Sequence, residues 1–172
     1  MNKSKIWLSS PHMGGNEQKY VQEAFDTNWV APLGPNVSGF EQDLENYLGA
    51  QVSVGVLSSG TAAIHLGLQL LGVQKEDVVL CQSLTFIASV NPVLYLGATP
   101  VFIGSEKDTW NLCPIAVEDA IKVCIEKGKK PKAIITVCLY GMPYKVEEIK
   151  EKVAIFGKEI LEDETYSWKK NN

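Results

Sequence analysis

The stretch Val54-Gly-Val-Leu-Ser-Ser-Gly-Thr-Ala-Ala63 decides how the rest of the chain is read. Valines at 52, 54 and 56 alternate with other residues and predict a strand over residues 51–57. Ser58-Ser-Gly-Thr61 is the turn after it. Residues 62–71 are apolar on nearly every face, which predicts a buried helix, and Gly72 ends it. A strand that passes through small residues into a helix gathers free backbone N–H groups at the positive end of the helix dipole. Gly60 lets a ligand come close to the backbone, and Thr61 adds a hydroxyl. Two readings are open here: a cradle for a phosphate group, or a tight turn that needs small side chains for its own packing. The segment is neither a Walker A loop nor a G-x-G-x-x-G fingerprint.

The same rhythm of short apolar strand, loop and amphipathic helix extends in both directions. Upstream, residues 16–27 place Tyr20, Val21, Ala24 and Phe25 on one helical face. Ser38 and Glu41 have the spacing of a capping box for a second helix, which carries Phe40, Leu44, Tyr47 and Leu48 on one stripe and stops at Gly49. Downstream, residues 77–81 predict a buried strand. Residues 86–96 predict a helix that Pro92 kinks or shortens. Strand 100–103 follows, and then a helix opened by Pro114 and running to residue 126, with Ala120, Ile121, Cys124 and Ile125 inward. The lysine cluster at 127–132 reads as a solvated loop. A strand at 132–138, a helix at 144–154 and a last strand at 158–163 complete the order. Strands alternating with helices, and strands that are nearly continuous runs of Val, Ile and Leu, predict a three-layer α/β fold on a mainly parallel sheet.

The chain has 172 residues, a length that suits one domain. Its 45% hydrophobic and 21% charged residues fit a folded globular protein and exclude a disordered one. Net charge is −4, and all 16 cationic side chains are lysine, so neither a basic nucleic-acid footprint nor an arginine fork for phosphate is present. Apolar stretches are interrupted before membrane-spanning length, and no signal peptide follows the first lysines, which points to the cytoplasm. Cys81, Cys113, Cys124 and Cys138 form no C-x-x-C pair and have no histidine at ligand spacing, so they read as buried thiols and no metal site is expected. His12 and His65 read as structural residues.

Two further segments lie at predicted strand ends, where ligands of parallel α/β sheets bind. Ser83-Leu-Thr-Phe-Ile-Ala88 offers Phe86, either as a stacking surface for a planar ligand or as ordinary core. Ile160-Leu-Glu-Asp-Glu164 offers Asp163, either as the partner of a protonated ring nitrogen or as part of an acidic loop.

Taken with Leu8-Ser-Ser-Pro-His-Met-Gly-Gly15, Asn28-Trp-Val-Ala-Pro-Leu-Gly-Pro35, Ser59-Gly-Thr-Ala-Ala-Ile-His-Leu66, Leu96-Gly-Ala-Thr-Pro-Val-Phe102 and Leu139-Tyr-Gly-Met-Pro143, these segments resemble, in order and spacing, the N-terminal part of the DegT/DnrJ/EryC1/StrS family. The first two look most like the branch that makes 4-amino sugars on nucleotide carriers for surface polysaccharide. The resemblance implies the large domain of the fold type I, aspartate aminotransferase-like transferases dependent on pyridoxal 5′-phosphate. On this reading residues 1–172 are the N-terminal portion of that domain, with the C-terminal domain absent. Gly60, Thr61 and Ala62 match the loop that holds the cofactor phosphate, Phe86 matches the aromatic that stacks on the pyridine ring, and Asp163 matches the carboxylate on the pyridine nitrogen. The substrates implied are glutamate and a nucleotide-linked keto-sugar, and the assembly implied is a homodimer or an association with a full-length relative.

The departures from the family pattern carry their own expectation. No residue here matches the Schiff-base lysine or its serine partner, because Glu164-Thr-Tyr-Ser-Trp168 follows Asp163. Cys138 stands where many members have histidine, and Gly104-Ser105 where members often have an aspartate. No catalytic residue is assigned, and the chain is expected to be an inactive, truncated aminotransferase with weak or no cofactor binding. The alternative is a non-catalytic dimerisation or binding module.

Overall fold

A computed structural model describes residues 5, 10–49, 51–156 and 161–162. The chain divides into two compact units, Met1–Val56 and Leu57–Asn172.

The first unit carries helices α1 (Glu17–Asp26) and α2 (Pro35–Leu48). Helix α2 starts three residues before the expected capping box. Gly34 is its N-cap and Pro35 its first residue, with φ already set for a helix. Ser38 is therefore inside the helix, its N–H bonded to the Gly34 carbonyl at 3.2 Å. Glu41 is used differently: its carboxylate accepts the Val56 N–H at 3.0 Å, while Glu45 accepts the Val54 N–H at 2.9 Å. These two bonds occupy N–H groups of residues 51–57, which form no strand. Among the described residues no other strand lies in this unit, and side-chain carboxylates take the alternate N–H groups that a ladder would use. Gly49 ends α2 as expected, at φ +105°. No residue of either helix is buried. The apolar faces read from the sequence exist, yet Phe25 and Tyr47 are exposed.

The second unit is built on a parallel sheet ordered β2-β1-β3-β4, with β1 Val78–Gln82, β2 Thr99–Ile103, β3 Pro131–Ile135 and β4 Leu161–Glu162. The central strand β1 is buried throughout, and its side chains alternate between two cores. Val78 and Leu80 join Ile103 and Ile134 under α5 (Pro114–Glu126) and α6 (Val146–Ala154). Val79 and Cys81 join Ala133 and Ile135 under α3 (Gly60–Leu70) and the short α4 (Asn91–Tyr95). This makes three layers, α/β/α, as the sequence predicts. Side chains such as Leu80 and Ile121, fully buried here, each contribute roughly 1.5–3 kcal/mol of transfer free energy.

Four local expectations change. Helix α3 is apolar all round but only Leu68 is buried; Leu70 is 80% exposed because one face alone meets the sheet layer. The helix expected over 86–96 is split into a 3-10 turn, Ile87–Ser89, and α4, because Pro92 has no N–H and is accommodated in a helix's first turn. On α5 the inward set is Val117, Ile121 and Cys124, with Ala120 partly covered; Ile125 points outward. Strand β3 stops at Ile135, three residues short of its expected end.

Candidate functional site

All four strands are parallel, so their carboxyl ends lie along one edge of the sheet. Gln82, Ile103 and Ile135 are the last residues of β1, β2 and β3. Of the residues read from the sequence, Phe86 lies on the loop that leaves β1 at this edge, while Gly60, Thr61 and Ala62 open α3, which packs against the turn and helix that follow that loop.

Helix α3 opens on Ser59, whose Oγ accepts the Ala62 N–H at 3.2 Å. That N–H is thus already capped by the chain. Gly60 and Thr61 supply the remaining N–H groups of the first turn, which no helical carbonyl can reach. A methyl group placed on Gly60 would meet nothing within 4 Å. Internal packing therefore gives no reason for a bare α-carbon here; the space above it is open to an incoming group. Phe86 follows β1 and is 79% exposed, which removes the reading of it as core and leaves its ring free to stack. Asp163, expected to meet a ring nitrogen, lies outside the described residues.

The same edge has a scaffold that no periodic pattern announced. Asn111 is fully buried. Its Oδ1 accepts the Leu139 N–H at 3.0 Å and the Gln82 Nε2–H at 3.2 Å, and its Nδ2 donates to the Met142 carbonyl at 2.7 Å. Gln82, also buried, donates to the Leu84 carbonyl at 2.7 Å. Two side chains thereby tie together the loops that follow β1, β2 and β3. Beside them Glu106 accepts the N–H groups of Asp108 and Thr109, at 2.8 and 2.6 Å, and the Thr109 hydroxyl. Lys145 bridges Glu106 at 3.3 Å and Asp108 at 3.0 Å. The Thr109 hydroxyl first, then the backbone donors and Lys145, hold the Glu106 carboxyl down at about 2. Two buried polar atoms at this edge, Gln82 Oε1 and Ser105 Oγ, have no hydrogen-bond partner. Orphaned polar atoms at a strand-end edge are where a ligand or water is accommodated.

Other places offer less. A groove of about 360 Å³ lies at the opposite edge, against Val78, Thr99 and Val123, and only Asp119, Lys127 and Lys129 give its rim charge. His65 sits half-buried on α3 with its ring edge-to-face on Tyr95 at 5.8 Å, a packing role. Burial pushes the Cys81 thiol up to about 12, so it stays protonated and unreactive. Cys124 is buried as well, whereas Cys113 and Cys138 are only half-buried, which corrects the expectation of four buried thiols. Among the described residues no helix is long and apolar enough to cross a membrane, and no cluster of three or more His, Cys, Asp or Glu could hold a metal.

The three-layer α/β/α arrangement on a parallel sheet is the architecture of the pyridoxal phosphate-dependent, fold type I transferases. Residues 11–167 match the model of the DegT/DnrJ/EryC1/StrS aminotransferase family, and the chain belongs to that family. It is 51% identical over 159 residues to EpsN of Bacillus subtilis (strain 168), a provisionally named pyridoxal phosphate-dependent aminotransferase; the match covers 92% of this chain and 41% of EpsN. It is 37% identical to the GDP-perosamine synthase of Escherichia coli O157:H7, over 92% of this chain and 42% of the synthase. Among solved structures it resembles ntda from Bacillus subtilis, determined with bound cofactor PMP, at 29% identity and a TM-score of 0.73, over 85% of this chain and 32% of that one. The chain thus spans about two fifths of the length of the curated relatives it matches.

Proposed function

We infer that these residues form the phosphate-holding and ring-stacking side of a sugar aminotransferase site dependent on pyridoxal 5′-phosphate. The observation that carries this reading is the first turn of α3, where the Gly60 and Thr61 N–H groups have no helical acceptor and a methyl group on Gly60 would meet nothing within 4 Å. The residues fit such a group. Backbone N–H groups and the helix dipole stabilise a phosphate dianion, and the Thr61 hydroxyl adds a donor. Ser59 keeps the turn in shape by capping Ala62. Phe86 supplies a face for a flat ring, and Asp163 would hold a proton on the ring nitrogen. The cofactor, when bound, supplies an electron sink for moving an amino group. The whole protein's reaction on this reading is transfer of that group from glutamate to a nucleotide-linked keto-sugar in the cytoplasm, for surface polysaccharide.

None of the 172 residues matches the family's Schiff-base lysine, so a polypeptide of this sequence alone holds the cofactor weakly and does not turn over. Pyridoxamine 5′-phosphate is the appropriate probe, because its amine forms no imine with the 16 lysines. Titration calorimetry is expected to show saturable binding of pyridoxamine 5′-phosphate and none of pyridoxamine. Equal binding of both, or of neither, would refute the phosphate site.

A second reading, a non-catalytic module that dimerises or joins a full-length relative, is favoured by the exposed apolar faces of α1 and α2, with Phe25, Phe40 and Tyr47 in solvent. Sedimentation equilibrium giving a monomer at all concentrations, alone and mixed with a full-length relative, would reject it.

A further inference from the structure

Tyr140 has a backbone that an aromatic residue rarely adopts. Its φ is +51° and its ψ is 30°, the left-handed region, inside the 3-10 turn Leu139–Gly141. Glycine or asparagine would sit there with less strain. The ring gains nothing from packing in return, since the residue is 78% exposed. The conformation is nevertheless firmly imposed: Asn111 grips both sides of the turn, accepting the Leu139 N–H and donating to the Met142 carbonyl. Leu33 and Trp110 share the left-handed backbone and the exposure, so strain alone assigns no role; what sets Tyr140 apart is its place beside Phe86 in the sheet.

Cys81 pairs with Ile135 in the parallel register of β1 and β3. Phe86 lies five residues beyond Cys81, and Tyr140 five residues beyond Ile135. Neighbouring strand ends thus each present an exposed aromatic at the same offset, and Gln82 and Asn111 join the loops that bear them. We propose that Tyr140 is a ligand-contact residue of the same site as Phe86, and that Asn111 is its positioning residue. The ligand class is a phosphorylated, planar heteroaromatic ring, and the inference rests on the cofactor reading above.

Tyr140→Gly and Tyr140→Asn separate this role from a structural one. Both replacements suit the left-handed backbone and both delete the ring. Each variant is expected to melt at the same temperature as the unsubstituted chain or higher, and to bind pyridoxamine 5′-phosphate at least fivefold more weakly. Binding within twofold of the unsubstituted chain in either variant would overturn the inference while leaving the cofactor reading intact. A melting temperature lowered by several degrees in both variants would also overturn it, because the ring would then be structural. If the unsubstituted chain binds no pyridoxamine 5′-phosphate, the cofactor reading falls and this inference falls with it.

Discussion

Replacing Asn111 by alanine should cost far more stability than a loop residue normally does. The side chain is fully buried and makes three hydrogen bonds, to Leu139, Met142 and Gln82. Gln82 keeps its bond to the Leu84 carbonyl, so its loss is the smallest of the three. The Leu139 N–H, on a half-buried residue, is left without an acceptor, which costs about 1–3 kcal/mol. The Met142 carbonyl belongs to an exposed residue and regains water, so its share is closer to the ordinary net value of about 1 kcal/mol. The sum is about 2–4 kcal/mol, a large part of the roughly 5–15 kcal/mol that holds a domain together. Urea denaturation followed by tryptophan fluorescence reads it directly: with a slope of about 2 kcal/mol/M the midpoint should fall by roughly 1–2 M. Asn111→Asp keeps an acceptor for Leu139 but buries a carboxylate against the Met142 carbonyl, so at neutral pH it should destabilise at least as much as alanine. A midpoint within about 0.3 M of the unsubstituted chain for Asn111→Ala would show that the clamp carries little energy and that the edge loops are held by something else.

Three other outcomes follow from the same geometry. Glu106 is held down at about 2 against an ordinary 4.5, so its contribution is fully present above pH 4.5 and is lost as pH falls toward 2; acid titration of stability should show that loss, and Glu106→Gln should flatten it while lowering stability at neutral pH. Gly60→Ala meets open space and should leave stability unchanged or raise it by about 0.4–1 kcal/mol, while binding of pyridoxamine 5′-phosphate, read by calorimetry, weakens severalfold as the methyl group crowds the phosphate. Thiol labelling of the native chain with a disulfide reagent at mild alkaline pH should modify Cys113 and Cys138 first and Cys81 last, as mass mapping of the labelled peptides would show.

The layers of the fold were legible because continuous apolar runs such as Val78–Gln82 have no stable place except between two helical layers. The start of α2 was misjudged because two valid helix signals compete within a few residues, and Pro35 acts before Ser38 can. Residues 51–57 show the limit of alternation as a signal: it marks a chain that can pair, but pairing also needs a neighbour, and Glu41 and Glu45 from α2 answered instead. Phe86 was legible as a residue just past a strand end, and the helix start at Gly60 from its small-residue turn, although the strand expected before it over residues 51–57 does not form. Gln82, Asn111 and Glu106 were missed because a single polar residue in a loop has no period, and its partners are 28 or more residues away in the case of Asn111 with Leu139, Met142 and Gln82. The left-handed Tyr140 gave no warning either, since tyrosine is not a residue from which such a backbone is inferred.

The central claim is that the carboxyl edge of the sheet, with the start of α3, receives a phosphorylated ring. Two-dimensional amide spectra of the ¹⁵N-labelled chain, recorded as pyridoxamine 5′-phosphate is added, test it most directly. The account predicts saturable shifts concentrated at Gly60, Thr61 and Phe86, extending to Tyr140. Shifts centred on Lys127 and Lys129 at the opposite edge, or shifts spread evenly over the surface lysines, would contradict it.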